Sequence, residues 1–110
     1  MRKLVLLATV AAFFVSAGSA QGFVWHLKLS VAQHETKMIE RELCAESSTC
    51  VGYGVGRCER ITESRVDCIG ANLNETSSGE IECQSIFHWG VRRGGELKVR
   101  ITRPHCFYVE

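Results

Sequence analysis

Several things are scarce in this 110-residue chain, and each scarcity excludes something. Proline occurs once, at Pro104, so no proline-rich linker divides the chain. Aspartate occurs once, at Asp67, which leaves a Ser-His-Asp triad almost no choice of acid. No Gly-x-Ser-x-Gly elbow is present. Cysteine is missing from the first 43 residues, and no Cys-x-x-Cys pair appears anywhere, which argues against a structural zinc site. Charge of one sign is missing too. With 13 basic and 12 acidic residues, the strongly basic face of a nucleic-acid binder is not expected. Only one long apolar run exists, so no membrane span is expected once that run is removed.

That run is at the start. Arg2 and Lys3 precede an apolar stretch from Leu4 to Val15, and Ser16-Ala17-Gly18-Ser19-Ala20 supplies small residues for cleavage. The pattern is that of an export signal, and a dozen apolar residues is short of the roughly 20 a bilayer needs. Residues 1–20 are read as the signal and 21–110 as one domain. The 13 basic residues less Arg2 and Lys3 leave 11 against 12 acidic, a net charge of −1.

Six cysteines follow: Cys44, Cys50, Cys58, Cys68, Cys83 and Cys106. An even number in a short exported chain reads as three disulfides. A domain of this size buries only about 60 to 65% of its unfolded surface, so bridges worth roughly 2–4 kcal/mol each matter to it.

Residues 23–47 contain neither glycine nor proline, and Leu27, Val31, His34 and Met38 fall on one helical face, widened by Ile39 and Leu43. One helix is expected there. Residues 49–56, with Gly52, Gly54 and Gly56, read as a loop. Period-two alternation then marks strands at 55–61, 65–73, 80–89 and 96–103, with Pro104 ending the last. Short connections favour an antiparallel meander. The expected fold is α+β, one N-terminal helix packed on a four-stranded antiparallel meander sheet and stapled by disulfides. Val66, Cys68, Ile81, Cys83, Phe87, Trp89, Leu97, Val99 and Ile101 share the face expected to meet the helix. The other face carries Arg65, Asp67, Glu80, Glu82, Gln84, Lys98 and Arg100, with Glu80 and Glu82 expected opposite Lys98 and Arg100.

Register also suggests the disulfides. A three-residue turn at 62–64 sets Cys58 opposite Cys68, and Cys83 lies across the last hairpin from Cys106. The favoured pairing is Cys44–Cys50, Cys58–Cys68 and Cys83–Cys106. The rival exchanges partners among Cys44, Cys50 and Cys58.

The enzyme-like strings are incomplete. His34-Glu35-Thr36-Lys37-Met38 has Met38 where a zinc protease needs its second histidine, so His34 is read as a core or boundary residue. The alternating glycines lack the spacing of a dinucleotide loop. Asn74-Glu75-Thr76 is a glycosylation sequon in an expected turn. Arg92-Arg93-Gly94-Gly95, with Arg100 and Arg103, is the densest positive region, partly offset by Glu80, Glu82 and Glu96. Neither a cofactor nor a metal is expected.

A helix wrapped by a four-stranded antiparallel meander resembles the cystatin-like architecture. The Gln-x-Val-x-Gly hairpin and Pro-Trp pair of inhibitory cystatins are missing, so the resemblance implies a fold and no inhibition. Gly54-Val55-Gly56-Arg57-Cys58-Glu59-Arg60-Ile61 and Arg65-Val66-Asp67-Cys68, with Cys83 and a late Cys106, resemble small exported cysteine-rich domains of high-GC Gram-positive bacteria. Those domains have no settled activity to carry over.

The functional expectation is a secreted, non-enzymatic domain that binds a macromolecule or cell-envelope component. Its expected surface is Tyr53, Arg57, Arg65, Asp67, His88, Arg92 and Arg93. One alternative is a protease inhibitor with a cystine-pinned loop at 49–56. Another is a small secreted hydrolase, which needs His34 or His88 beside a carboxylate in a cleft.

Overall fold

A computed structural model describes residues 25–109, so the expected export signal lies outside the described residues. One helix packs on an antiparallel sheet, and three disulfides tie the assembly together.

Helix α1 spans Leu29–Glu46 and so begins later than the apolar periodicity suggests. The preceding segment is taken by the sheet instead. Leu27 N–H donates to the Glu63 carbonyl at 2.8 Å, and Arg60 Nη2 donates to the Leu27 carbonyl. Leu27 is buried there, and Lys28 is still extended. At the other end Ser47 turns extended while its N–H bonds the Cys44 carbonyl.

The buried stripe of α1 is Ala32, Thr36 and Glu40, with Val31 and Ile39 packed beside it. The expected stripe is therefore corrected: His34 and Leu43 are exposed, and the side chains that go inside are small or polar. Polarity at these positions is tolerated because each group has a partner. Trp89 Nε1 donates to Thr36 Oγ1 at 2.7 Å, and that hydroxyl donates onward to the Ala32 carbonyl at 2.7 Å.

The sheet runs β1 (Cys50–Thr62), β2 (Arg65–Thr76), β3 (Gly79–Val91) and β4 (Leu97–Ile101) in spatial order. A fifth strand, β5 (His105–Tyr108), also pairs with β3. β4 ends at Ile101, short of Arg103 and ahead of Pro104, and the chain then returns to the same edge. Phe87 to Val91 pair with β4, and Ile81 to Gln84 pair with β5. Between them Thr102 bridges the gap, its N–H bonding the Ile86 carbonyl at 3.0 Å and its Oγ1 accepting from Ile86 N–H at 2.9 Å.

Residues 49–56 are not a loop. Gly52 pairs with Leu73, Tyr53 with Asn72 and Gly54 with Ala71, so the glycine string is the first part of β1. The hairpin that follows is also tighter than expected. Thr62 pairs directly with Arg65, leaving two residues in the turn, and a register shift between Arg60 and Thr62 restores the Cys58–Cys68 alignment. The β2–β3 turn closes on Gly79, whose φ of +127° is open to glycine at little cost.

The disulfides are Cys44–Cys50, Cys58–Cys68 and Cys83–Cys106. The first joins the last turn of α1 to the start of β1, and the others staple residues directly opposite on neighbouring strands.

The core consists of Leu27, Ala32, Val66, Cys68, Phe87, Trp89 and Leu97. Phe87 and Trp89 stack with ring centroids 6.4 Å apart. The expected core reached too far, since Ile101 is 40% exposed and Ile81 and Cys83 are only half-buried. Helix α1 lies over β1 and β2, and the part of the sheet beyond them has less cover.

Candidate functional site

The site is set by strand register on the face of the sheet opposite α1. Side chains alternate along strands, so residues paired across neighbouring strands share a face. Asp67 on β2 stands opposite His88 on β3, which stands opposite Arg100 on β4. One step along, Arg65 stands opposite Gly90, which stands opposite Lys98. Gly90 carries no side chain, so a dent forms between Arg65 and Lys98. The resulting groove, about 420 Å³, is lined by Ser64, Arg65, His88, Arg92, Lys98 and Arg100 over the backbone of Gly90.

Two carboxylates neutralise part of this charge. His88 Nδ1 lies 2.9 Å from Asp67 Oδ1, with both side chains largely covered. The other ring nitrogen, Nε2, has no hydrogen-bond partner among the described residues. Lys98 Nζ lies 3.2 Å from Glu96 Oε2, an exposed pair worth little on its own. Arg65, Arg92 and Arg100 have no ion-pair partner among the described residues. Three uncommitted guanidinium groups around a dent suit an anion, because each offers donors in a planar fork that matches carboxylate and phosphate oxygens.

The expected binding residues divide. Arg65, Asp67, His88 and Arg92 come together at the groove. Tyr53 does not join them. Paired with Asn72, it faces the helix side and lines a second groove with Ser30, Gln33, His34 and Lys37. Arg57 lies at the register shift between Val55 and Cys58, and Arg93 is exposed in the β3–β4 turn. Lys98 and Arg100 belong at the groove, and the signal for them is the register of β4, which sets them beside Gly90 and His88. The expected pairing of Glu80 and Glu82 with Lys98 and Arg100 does not form. β4 is too short to reach them, so Glu82 faces Phe107 of β5, and Glu75 of β2 stands opposite Glu80.

A second polar constellation, unseen in the sequence, lies under the helix. Glu40 is 2% exposed and accepts from Asn72 Nδ2 at 3.0 Å. Asn74 Nδ2 donates to Asn72 Oδ1 at 2.8 Å, and Thr49 Oγ1 donates to Asn74 Oδ1 at 2.9 Å. Burial pushes the Glu40 carboxyl above its ordinary range, and the Asn72 bond offsets part of that rise. The chain also changes the sequon's setting. Asn74 sits in β2, half-buried and with its amide engaged, and not in a turn.

All six cysteines are bridged, so no thiol is free to act as a nucleophile. No described group of three His, Cys, Asp or Glu residues could hold a metal ion. Among the described residues no helix is long and apolar enough to cross a membrane. Neither a family model, a curated protein nor a solved structure matches this chain.

Proposed function

We propose that this is an exported, non-enzymatic binding domain that holds an anionic macromolecule or cell-envelope component in the β3–β4 groove. The observation that carries the reading is the convergence of Arg65, Arg92 and Arg100, none of them ion-paired to a described residue, on one dent floored by Gly90. The continuous β2–β3 and β3–β4 ladders support it, because their pairing keeps the cations at their spacing without a ligand. His88, held by Asp67, adds a hydrogen-bonding group between the charges.

Calorimetric titration of the oxidised protein with polyphosphate and with poly-glutamate tests this. Binding of either polymer is expected, weakening at higher salt. Arg65→Ala/Arg100→Ala is expected to reduce affinity at least about tenfold, equivalent to roughly 1.4 kcal/mol. The reading fails if neither polymer binds, or if the double variant binds as tightly as the parent.

A second reading, a small exported hydrolase, is favoured by one observation: the His88–Asp67 pair opens on the groove. It predicts ester or phosphoester cleavage that His88→Ala abolishes. No described side-chain hydroxyl is hydrogen-bonded to His88, so the attacking group would be water. The inhibitor reading expects a rigid exposed loop at 49–56, and residues 50–56 are instead the first part of strand β1.

A further inference from the structure

The groove occupies one end of a surface whose other end has the opposite charge. Along the outer face, the row of Arg65, Gly90 and Lys98 is followed by Glu59, Asp67, His88 and Arg100, so the basic excess comes from Arg65, Arg92, Lys98 and Arg100. Next come Ile69 and Ile86, then Ala71 and Gln84, then Leu73, Glu82 and Phe107, and finally Glu75 opposite Glu80. Ten residues of β2 separate Arg65 from Glu75, roughly 34 Å. That is several Debye lengths at physiological salt, so the two ends do not neutralise each other. Glu75 and Glu80 face each other directly, and neither has an ion-pair partner among the described residues. Like charges set opposite each other destabilise a lone sheet, unless a cation from elsewhere meets them.

The middle of this face is apolar and open. Ile86 is 42% exposed and Phe107 is 39% exposed, with Ile69, Ala71 and Leu73 between them. Helix α1 lies on the opposite face, and no described element covers this one.

We infer that a second copy of this chain covers it, sheet against sheet about a two-fold axis near Ile69 and Ile86. A two-fold axis lying between the two faces and perpendicular to the strands turns the faces toward each other and reverses strand direction. It brings Glu75, Glu80 and Glu82 of each copy against Arg65, Lys98 and Arg100 of the other. The same complementary contact is made twice, as an isologous interface requires. The isoleucines of both copies meet at the centre, where stacked sheets lie about 10 Å apart. Six rows across four strands span on the order of 650 Å² per copy. Two copies together then bury about 1,300 Å², within the range of specific interfaces. This inference rests on the groove accepting anionic groups, here the carboxylates of the second copy. Dimerisation and an added polyanion therefore compete.

Sedimentation equilibrium of the oxidised protein, at about 50 mM and about 500 mM salt, tests it. Twice the monomer mass is expected at low salt, with the dimer at least about tenfold weaker at high salt. Glu80→Lys/Glu82→Lys and Arg65→Glu/Arg100→Glu, each checked for folding by circular dichroism, are each expected to weaken self-association at least about tenfold. An equimolar mixture of the two is expected to restore the dimer, because each altered end then meets a complementary one. A parent protein that stays monomeric overturns the inference. So does a dimer that neither variant weakens, or a mixture that fails to restore it. Poly-glutamate separates this inference from the reading beneath it. A monomeric protein that binds the polymer removes the dimer and keeps the groove. A charge-swappable dimer that ignores the polymer removes the soluble-ligand reading and keeps the dimer.

Discussion

Asn72 Nδ2 donates to Glu40 Oε1 across 3.0 Å, joining the middle of β2 to the buried face of α1. A carboxyl is costly at such a position when ionised, and its raised pKa expresses that cost. The folded state therefore binds this proton more readily than the unfolded state does. Glu40's contribution is most favourable at and below its ordinary value of 4.5 and declines as pH climbs from there through the folded value. Glu40→Gln keeps an acceptor for Asn72 and removes the charge. It is expected to flatten the pH dependence above 4.5 and to raise stability at neutral pH. Urea unfolding across the acid-to-neutral range checks this, and a variant whose slope matches the parent's would contradict it.

Gly70 explains how that carboxyl fits. A methyl group added there would lie 2.5 Å from Phe87 Cε1 and 2.6 Å from Glu40 Oε2. Both neighbours are buried and have little room to retreat. Gly70→Ala is expected to cost about 1–3 kcal/mol, as overpacking does. Thermal or urea unfolding measures it, and a loss below about 0.5 kcal/mol would mean that the helix shifts freely on the sheet.

The Trp89–Thr36 bond gives a cleaner comparison, because two substitutions separate shape from hydrogen bonding. Thr36→Val keeps the volume and leaves the indole N–H without its acceptor, at an expected cost of about 1–3 kcal/mol. Thr36→Ser keeps the hydroxyl and should retain more of the stability. If valine is tolerated better than serine, packing outweighs the bond.

The three disulfides should not be equal. Cys83–Cys106 has a sequence separation of 23 and Cys44–Cys50 only 6, so on loop entropy the first contributes about 3 kcal/mol and the second about 2. Cys83→Ala/Cys106→Ala is expected to free β5 while α1 and β2 keep their protection from hydrogen exchange. The four residues of β5 are all exposed and have only a short ladder to β3, so the bridge is their main tether. Loss of protection throughout the molecule would instead make β5 part of the cooperative core.

Much of this fold is legible in the sequence, and the exceptions have physical causes. Alternation in β2 and β3 is strong because one face is buried, and it carries the register that aligns Cys58 with Cys68. The glycine string misleads because glycine permits turns without requiring them. Here none of Gly52, Gly54 or Gly56 adopts a positive φ, and backbone pairing to β2 decides their conformation. The helix stripe misleads because burial is inferred from apolarity, whereas Thr36 and Glu40 go inside with hydrogen-bond partners contributed by strands far away in sequence. The groove is half legible. Arg65 and Asp67 follow the β1–β2 turn, and His88 and Arg92 flank the end of β3, so strand pairing is what brings them to one end of the sheet. Tyr53 goes elsewhere because the β1 register, which the bulges shift, turns it toward the helix.

The division of labour along β3 has one more consequence. Its outer side is occupied by five residues of β4, a break at Pro104, and four residues of β5. The opposite margin of the sheet, β1, shifts register three times along its length. Neither border offers another polypeptide a long, straight row of unpaired amides on which to zip, and such rows are where sheets recruit strands into aggregates. Association between copies of this chain is thereby steered toward its broad surfaces, where side chains and not backbone select the partner.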